Sequence, residues 1–203
     1  MNESVPVLAI DGPSGSGKGT LAAWMATELG WHLLDSGALY RIVAAMAVRQ
    51  GLDVDAEPTM QALAESLNIA FPDGKVLVDG LDLTDEIRTE DIGVMASRVA
   101  ALPAVRSAIL QLQRDFAKAP GLVADGRDMG TVVFPHAGLK IFLDASAQAR
   151  AERRYNQLKN KGLSVSLRDL LEQIQERDAR DRERATAPLK PATDAMLIDL
   201  SLI

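Results

Sequence analysis

The chain has 203 residues, no cysteine and a formal net charge of −6 at pH 7. That length suits one domain with a core of its own and an insertion, the missing cysteines exclude disulfides and thiolate metal sites, and the acidic balance argues against a general nucleic-acid binder. No basic amino-terminal region precedes an apolar stretch, and no apolar run reaches membrane-spanning length. We therefore expect a cytoplasmic protein with no membrane partner.

Strand and helix patterns alternate along the chain, which favours an α/β fold with a parallel sheet covered on both faces. Apolar runs predict strands at Val5–Ile10, His32–Leu34, Leu122–Ala124, Lys140–Leu143 and Met196–Leu200. Helical periodicity predicts helices at about 18–29, 38–50, 57–67, 90–102, 103–118, 147–159 and 166–184. Residues 69–88 instead read as short alternating segments joined by turn residues such as Pro72-Asp73-Gly74, which predicts a small antiparallel insertion.

The segment Gly12-Pro-Ser-Gly-Ser-Gly-Lys-Gly-Thr20 lies between the first predicted strand and the first predicted helix. In such a glycine-rich turn, backbone N–H groups can surround a phosphate while a lysine reaches its outer oxygens. Lys18 supplies that charge, and Thr20 supplies a hydroxyl near the metal and the phosphates. Gly19 departs from the generic pattern, because a serine or threonine normally follows the lysine directly. The motif predicts a triphosphate site; the alternative is an ordinary glycine-rich turn.

Carboxylates that end the strands of such a sheet can hold Mg²⁺, usually through water. Asp125 is the first choice, because it ends an apolar strand and precedes Gly126-Arg127-Asp128. Asp144 is better explained as a helix cap, since Ser146 and a helix follow it. Asp11 directly precedes the phosphate loop, and we expect it to brace that loop rather than to bind metal.

Two further segments place hydroxyl, carboxylate and arginine groups where open parallel sheets bind ligands, beyond the carboxyl ends of the strands. They are Asp35-Ser-Gly-Ala-Leu-Tyr-Arg41 and Gly126-Arg-Asp-Met-Gly130. An arginine fork matches a phosphate in two directions, so both segments are candidates for an acceptor site. Buried Arg–Asp pairs are the structural alternative.

The last long helix carries Arg177, Asp181 and Arg184 at spacings i, i+4 and i+7, so the three share one face. On a surface, such a stripe is an ion-pair ladder that contributes little. If the face turns inward, it offers donors and an acceptor to the sugar and base of a nucleotide. Both interpretations stay open.

The phosphate loop, with glycine after its lysine, resembles that of nucleoside monophosphate kinases. Further blocks look like bacterial cytidylate kinases, and they are Trp31–Arg41, Ala124–Pro135, Lys140–Ser146 and Arg177–Arg184. The Asp-Gly-Arg-Asp-Met-Gly sequence is quite specific, because adenylate kinases would show Asp-Gly-Phe-Pro-Arg there. The match covers nearly the whole chain in order, and the patch at 69–88 resembles the enlarged monophosphate-binding region of the bacterial enzymes.

The resemblance implies a three-layer P-loop NTPase fold and ATP-dependent phosphorylation of CMP or dCMP. It implies ATP contacts for the whole loop, namely Gly12, Pro13, Ser14, Gly15, Ser16, Gly17, Lys18, Gly19 and Thr20. The implied CMP contacts are Ser36, Arg41 and Arg127 to the phosphate, Ser97, Arg106, Asp128 and Arg184 to cytosine, and Arg177 and Asp181 to the ribose. Lys18, Arg127 and Arg153 would be catalytic, with Arg153 against the adenine or phosphates of ATP. Mg²⁺ would accompany ATP near Thr20 and Asp125, through water.

The resemblance also implies one kinase domain. Its parts would be a core (about 1–36, 91–150 and 185–203), a monophosphate-binding insertion (about 37–90), a lid (about 151–165) and a long charged helix (about 166–184). We expect a monomer that binds small molecules and no nucleic acid. Family members usually continue past the last strand into another helix, whereas this sequence stops at Ile203.

Two other functions stay open. A P-loop kinase for another small acceptor, such as AMP, UMP or shikimate, would carry the same loop. A nucleotide-binding switch or regulatory ATPase would carry it too. The guanine-reading Asn-Lys-x-Asp is absent, because Asn160-Lys-Gly-Leu163 lacks the aspartate, and a switch would have little use for arginine–carboxylate groups on three segments.

Overall fold

The computed structural model of the protein describes residues 5–71 and 74–202. The chain divides into two units, Met1–Leu34 with Arg114–Ile203, and Asp35–Gln113. The helices are α1 (Lys18–Leu29), α2 (Ser36–Arg49), α3 (Glu57–Ser66), α4 (Glu90–Val99), α5 (Pro103–Arg114), α6 (Ala147–Asn160) and α7 (Leu167–Glu183). The strands are β1 (Val7–Asp11), β2 (His32–Asp35), β3 (Ile69–Ala70), β4 (Leu77–Val78), β5 (Leu81–Asp82), β6 (Leu122–Gly126), β7 (Leu139–Asp144) and β8 (Met196–Asp199).

A five-stranded sheet with the strand order β2-β6-β1-β7-β8 forms the framework of the first unit. β1 pairs in parallel with β6 and β7, and β7 pairs in parallel with β8. A strand covered on both faces is apolar along its whole length, and β1 is accordingly buried from Leu8 to Asp11. The sheet and its flanking helices confirm the predicted α/β fold.

One apolar cluster fastens α1 to this sheet. It joins Leu8 and Ile10 of β1 and Val123 of β6 to Ala22 and Ala26 of the helix. Alanines on the buried face let the helix approach the strands closely. The cluster thereby fixes the amino-terminus of α1 beside the carboxyl end of β1.

The three central strands of the sheet end at one edge. Asp11 at the end of β1 is in register with Gly126 of β6 and with Phe142 of β7. The loops after these strands therefore leave the sheet together, at the edge where open α/β sheets bind their ligands.

Helix α2 is the most buried helix of the second unit. Leu39, Ile42 and Val43 are fully buried on it, and the helix packs against α3, α4 and a short 3₁₀ turn, Glu86–Arg88. β3, β4 and β5 form a separate antiparallel sheet. This small sheet confirms the predicted insertion, whereas Pro72 and Asp73 of the predicted turn lie outside the described residues, as do residues 1–4 and Ile203.

Several elements end earlier or later than the sequence pattern predicts. α4 stops at Val99 rather than near residue 102, and α5 stops at Arg114 rather than near residue 118. A π-helical turn, Met129–Val133, follows β6 where the sequence predicts only a loop. This turn begins where Asp11 accepts two backbone N–H groups, a contact that local sequence cannot reveal.

Among the described residues, no single helix has the length and apolar content needed to cross a membrane. The pair α4 and α5, bent by 102°, passes that test together by length and composition only.

Candidate active site

The phosphate loop follows β1 and leads into α1 as predicted. Gly15 and Gly17 have φ angles of +77° and +97°, a conformation that favours glycine. Gly17 directly precedes the first turn of α1, which contains no acidic residue. Backbone N–H groups of this turn and the positive end of the helix dipole therefore face the loop, where they suit an anion.

The lysine of the loop is held by a carbonyl and lies close to a carboxylate. Lys18 Nζ donates to the carbonyl of Pro13 at 3.2 Å and lies 3.9 Å from Asp125 Oδ1. A Cβ added at Gly19 would be 3.2 Å from Asp125 Oδ2. A side chain at position 19, where other loops carry a hydroxyl, would therefore be tightly packed against the Asp125 carboxylate.

Residues 150–184 contain ten lysines and arginines, a pattern that by itself favours a solvated helix face. The first of them, Arg150 of α6, supports the phosphate loop. Arg150 is buried, and its Nη1 donates to the carbonyl of Ser14 at 3.0 Å. The same guanidinium forms a two-pronged ion pair with Asp178 of α7 and donates to the carbonyl of Ala145. The long charged segment is therefore more than a solvated face. Its first arginine ties the phosphate loop to two helices.

A cleft of about 470 Å³ opens beside the loop within the first unit. Its lining residues are Ser16, Gly17, Thr20, Leu21, Trp24, Arg153 and Leu200. Arg153 is held there by a hydrogen bond to the carbonyl of Leu200, and the Trp24 ring is 58% exposed. The cleft thus combines apolar groups with one guanidinium, which suits a flat aromatic base.

Asp11 braces the loop after β6 rather than the phosphate loop. Its Oδ1 accepts from the backbone N–H of Met129 at 2.7 Å, and its Oδ2 accepts from that of Gly130 at 2.8 Å. Burial raises the pKa of Asp11 to about 7 despite these two donors. The carboxylate anchors the segment that begins with Arg127 and Asp128.

An arginine–carboxylate cluster forms in the first unit around Asp181. Arg127 Nε donates to Asp181 Oδ2 at 3.0 Å, and the side chain of Asp181 is almost fully buried. Burial alone would raise the pKa of Asp181, but the charges of Arg127, Arg177 and Arg184 outweigh it and hold that pKa below its usual range. The predicted stripe therefore turns inward. Arg184 itself lies just past the end of α7 and donates to the carbonyl of Ala187.

The remaining predicted acceptor residues lie in the second unit. Ser97 of α4 and Arg106 of α5 are buried, and the Arg106 guanidinium stands 5.6 Å from the centre of the Tyr40 ring while it donates to the carbonyl of Ala100. Ser36 opens α2, and Gln113, which the sequence analysis missed, donates to its hydroxyl at 2.8 Å. Nothing in the spacing of residues 36 and 113 signals this contact.

Arg41 is positioned by two backbone carbonyls and one glycine. Its Nη1 donates to the carbonyls of Ile87 at 2.7 Å and Thr89 at 3.1 Å. A Cβ added at Gly93 would lie 2.8 Å from Nη2 and 3.2 Å from Cζ. Because Gly93 of α4 has no side chain, the Arg41 guanidinium can lie against the helix backbone at this position.

We expect Gly93→Ala to separate binding from stability. Alanine stabilises a helix interior by about 1 kcal/mol relative to glycine, so the free energy of unfolding should stay unchanged or rise. The displaced Arg41 guanidinium should raise KM for a phosphate-bearing acceptor about tenfold, the value of one charge-assisted hydrogen bond. Steady-state kinetics and urea unfolding measure the two effects, with Val94→Ala, an exposed neighbour on α4, as the control. A stability loss in Gly93→Ala with no change in KM would contradict the assignment.

The helix cap at the end of β7 differs from the predicted one. The hydroxyl of Ser146, not the carboxylate of Asp144, accepts from the backbone N–H of Ala149. Asp144 instead accepts from the N–H of Ala145 and lies 3.8 Å from Arg182. Two residues separate Asp144 from the first helical residue, so its side chain is too far from that turn to cap it.

The described part of the chain contains no group of three or more His, Cys, Asp or Glu side chains that could hold a metal ion by themselves. Mg²⁺ needs no such group when it arrives with a nucleotide, since one or two carboxylates, water and phosphate oxygens complete its shell. The Asp125 carboxylate, at the end of β6, lies near Gly19, and Thr20 lies in the first turn of α1 at the end of the phosphate loop. These residues fit a cation carried by ATP.

Comparison with known proteins places the chain in a family. A family model of cytidylate kinase matches residues 8–203. The cytidylate kinase of Pseudomonas aeruginosa is 60% identical over 98% of this chain and 90% of its own length. Those of Pseudomonas putida and Photobacterium profundum are 58% and 56% identical, again over 98% of this chain, and over 90% and 89% of their own lengths. These matches confirm the resemblance read from the sequence: the chain belongs to the cytidylate kinase family.

Proposed function

We propose that this chain transfers the γ-phosphoryl group of ATP to CMP or dCMP and forms ADP with CDP or dCDP. Family membership, matched over residues 8–203, carries the proposal. The phosphate loop between β1 and α1 supports a nucleoside triphosphate as the donor. The arginine–carboxylate cluster around Asp181 supports a second, anionic and hydrogen-bonding ligand.

In this proposal, residues 12–20 hold the phosphates of ATP, and the cleft lined by Trp24 and Arg153 holds its base. Lys18 neutralises charge on the transferred group, with Arg127 and Arg153 as the further catalytic arginines. The phosphate of CMP is already anionic, so the reaction needs no strong base, and positioning with charge neutralisation carries most of the catalysis. Mg²⁺, bound with ATP near Thr20 and Asp125, would neutralise phosphate charge. Residues 151–165 are proposed as the lid that excludes water.

The acceptor contacts follow the chemistry of cytidine monophosphate. Ser36, Arg41 and Arg127 are proposed to bind the phosphate; Ser97, Arg106, Asp128 and Arg184 the base; and Arg177 and Asp181 the ribose. Cytosine accepts at O2 and N3 and donates from its amino group, whereas uracil donates at N3 and accepts at O4. Arginine donors with one carboxylate acceptor therefore favour cytosine, because uracil would leave buried polar groups without partners.

The test is the acceptor specificity of the purified protein. Mg-ATP is incubated with CMP, dCMP, UMP or AMP, and nucleotide products are separated by ion-exchange chromatography. We expect kcat/KM for CMP or dCMP to exceed that for AMP about 100-fold or more, since a site built from hydrogen-bonding groups rejects a base that mismatches them. Equal or faster turnover of AMP would contradict the base-reading role, and ADP formed without any acceptor would indicate an ATPase.

A Lys18→Met preparation serves as the control for contaminating kinases. It keeps the loop and a side chain of similar length but loses the charge that reaches the phosphates. Activity that survives at the wild-type level in this variant would belong to a contaminant or to a different site.

A further inference from the structure

A buried amide–hydroxyl contact lies behind the first turn of α2. Gln113, near the end of α5, is 1% exposed, and its Nε2 donates to Oγ of Ser36 at 2.8 Å. Both residues belong to the second unit. Burial makes the contact significant, because a buried amide that lost its partner would carry a desolvation penalty.

The direction of this hydrogen bond fixes what the Ser36 hydroxyl can do. A serine hydroxyl has one proton and two acceptor lone pairs. Since Gln113 donates to one lone pair, the proton of Ser36 is directed away from Gln113. Ser36 therefore keeps its proton for a further acceptor, which a hydrogen bond from Ser36 to Gln113 would have used.

The position of Ser36 on its helix agrees with an anionic acceptor. Ser36 is the first residue of α2, where the helix dipole is positive and backbone N–H groups lack intrahelical partners. Asp35 caps the N–H of Ala38 at 3.1 Å, so the capping function is already filled by another side chain. The Ser36 hydroxyl, which is itself buried, is therefore not needed as the helix cap.

We propose that Gln113 is a positioning residue that orients the Ser36 hydroxyl as a hydrogen-bond donor to the phosphate of the acceptor nucleotide. This inference rests on the proposed function, because it assumes that Ser36 contacts the CMP phosphate. A donor held in place before binding avoids the cost of ordering a hydroxyl in the complex. Hydrogen bonding from Gln113 also polarises the O–H group and strengthens its donation.

The kinetic test uses Gln113→Met, Ser36→Ala and the double variant. We expect Gln113→Met and Ser36→Ala each to raise KM for CMP about tenfold, the scale of one hydrogen bond to a charged group, with KM for ATP within about twofold of wild type. In the Ser36→Ala background, Gln113→Met should change KM for CMP no further, because the two residues act through one hydroxyl. Gln61→Met, which removes a partly exposed glutamine of α3 in the same unit, is the matched control.

Gln113→Glu tests the direction of the hydrogen bond. A carboxylate at position 113 accepts the Ser36 proton, reverses the contact and adds a negative charge near the phosphate. We expect it to raise KM for CMP about tenfold more than Gln113→Met does, on the scale of one further charge-assisted interaction. An effect of Gln113→Glu no larger than that of Gln113→Met would overturn the proposed orientation.

A spectroscopic measurement keeps the proposal testable if the Gln113 variants fail to fold. In ¹⁵N-labelled wild type, one side-chain amide proton of Gln113 should be protected from exchange and shift when CMP is added, and Ser36→Ala should remove the protection. A Gln113 side-chain amide that exchanges freely and does not shift when CMP is added would overturn the proposal. Equal changes of KM for CMP and for ATP in Gln113→Met would overturn it too. A wild type that forms no CDP would instead refute the proposed function itself, so the two failures are distinct.

Discussion

Gly12→Ala is expected to lower the rate of phosphoryl transfer by about 100-fold or more and to lower the free energy of unfolding by about 3 kcal/mol or more, the range of severe backbone strain. A Cβ at this position would lie 2.1 Å from the carbonyl oxygen of Leu143 and 3.1 Å from its carbonyl carbon. Both colliding atoms are backbone of β7, so no side-chain rotation relieves the contact. The start of the phosphate loop must move by about 1 Å, and a displacement of that size in a positioning group costs about 100-fold in rate.

Gly138→Ala is the matched control for this substitution. Gly138 immediately precedes β7, has no positive φ angle, and a Cβ there would meet nothing within 4 Å. Its variant should keep wild-type kinetics and a free energy of unfolding within about 0.5 kcal/mol of wild type. Chemical unfolding and kcat/KM for ATP measure both variants. If Gly12→Ala retained the wild-type kcat/KM for ATP, the close approach of Gly12 to the Leu143 carbonyl could not persist when ATP is bound.

The phosphate loop and the parallel sheet could be predicted from the sequence because both depend on local pattern. Apolar runs, glycine spacing and the short alternating segments at residues 69–88 can each be recognised from a few neighbouring positions. The sequence also shows that Gly19 departs from the generic phosphate loop, in which a serine or threonine follows the lysine. The closeness of the Asp125 carboxylate to position 19 depends on the register of β1 and β6, so only the structure shows it.

The supporting residues could not be predicted, because their partners are distant in sequence. Arg150 meets Asp178 across 28 positions, and Gln113 meets Ser36 across 77. A charged segment such as 150–184 gives no signal that distinguishes its buried arginines, Arg150 and Arg184, from its solvated ones. The same limitation explains Asp144, whose predicted cap depends on the exact start of α6, and Asp11, whose partners lie 118 and 119 positions away.

Asp181→Asn is expected to destabilise the protein by about 3 kcal/mol, because it removes the anion from a buried ion pair and leaves the guanidinium charges around it. The asparagine has the same shape, so packing is conserved and the effect reports charge. Arg127 donates directly to Asp181, and the charges of Arg177 and Arg184 act on it too. The Asp181 carboxylate therefore stabilises the folded protein more than one exposed ion pair could. It interacts with three of the arginines that are proposed to bind CMP.

The pH dependence of this loss identifies its cause. The arginines hold the folded-state pKa of Asp181 below the unfolded value of about 3.9, so its stabilisation is fully present above that pH and disappears as the pH falls through the folded-state pKa. The difference in unfolding free energy between wild type and Asp181→Asn should thus be constant near pH 7 and shrink below about pH 4. Asp144→Asn, at a half-exposed pair with Arg182, should cost under about 1 kcal/mol. Urea unfolding of the three proteins between pH 3 and 7 decides the matter: a gap that persists unchanged at the acidic end would show that shape, rather than charge, makes Asp181 necessary.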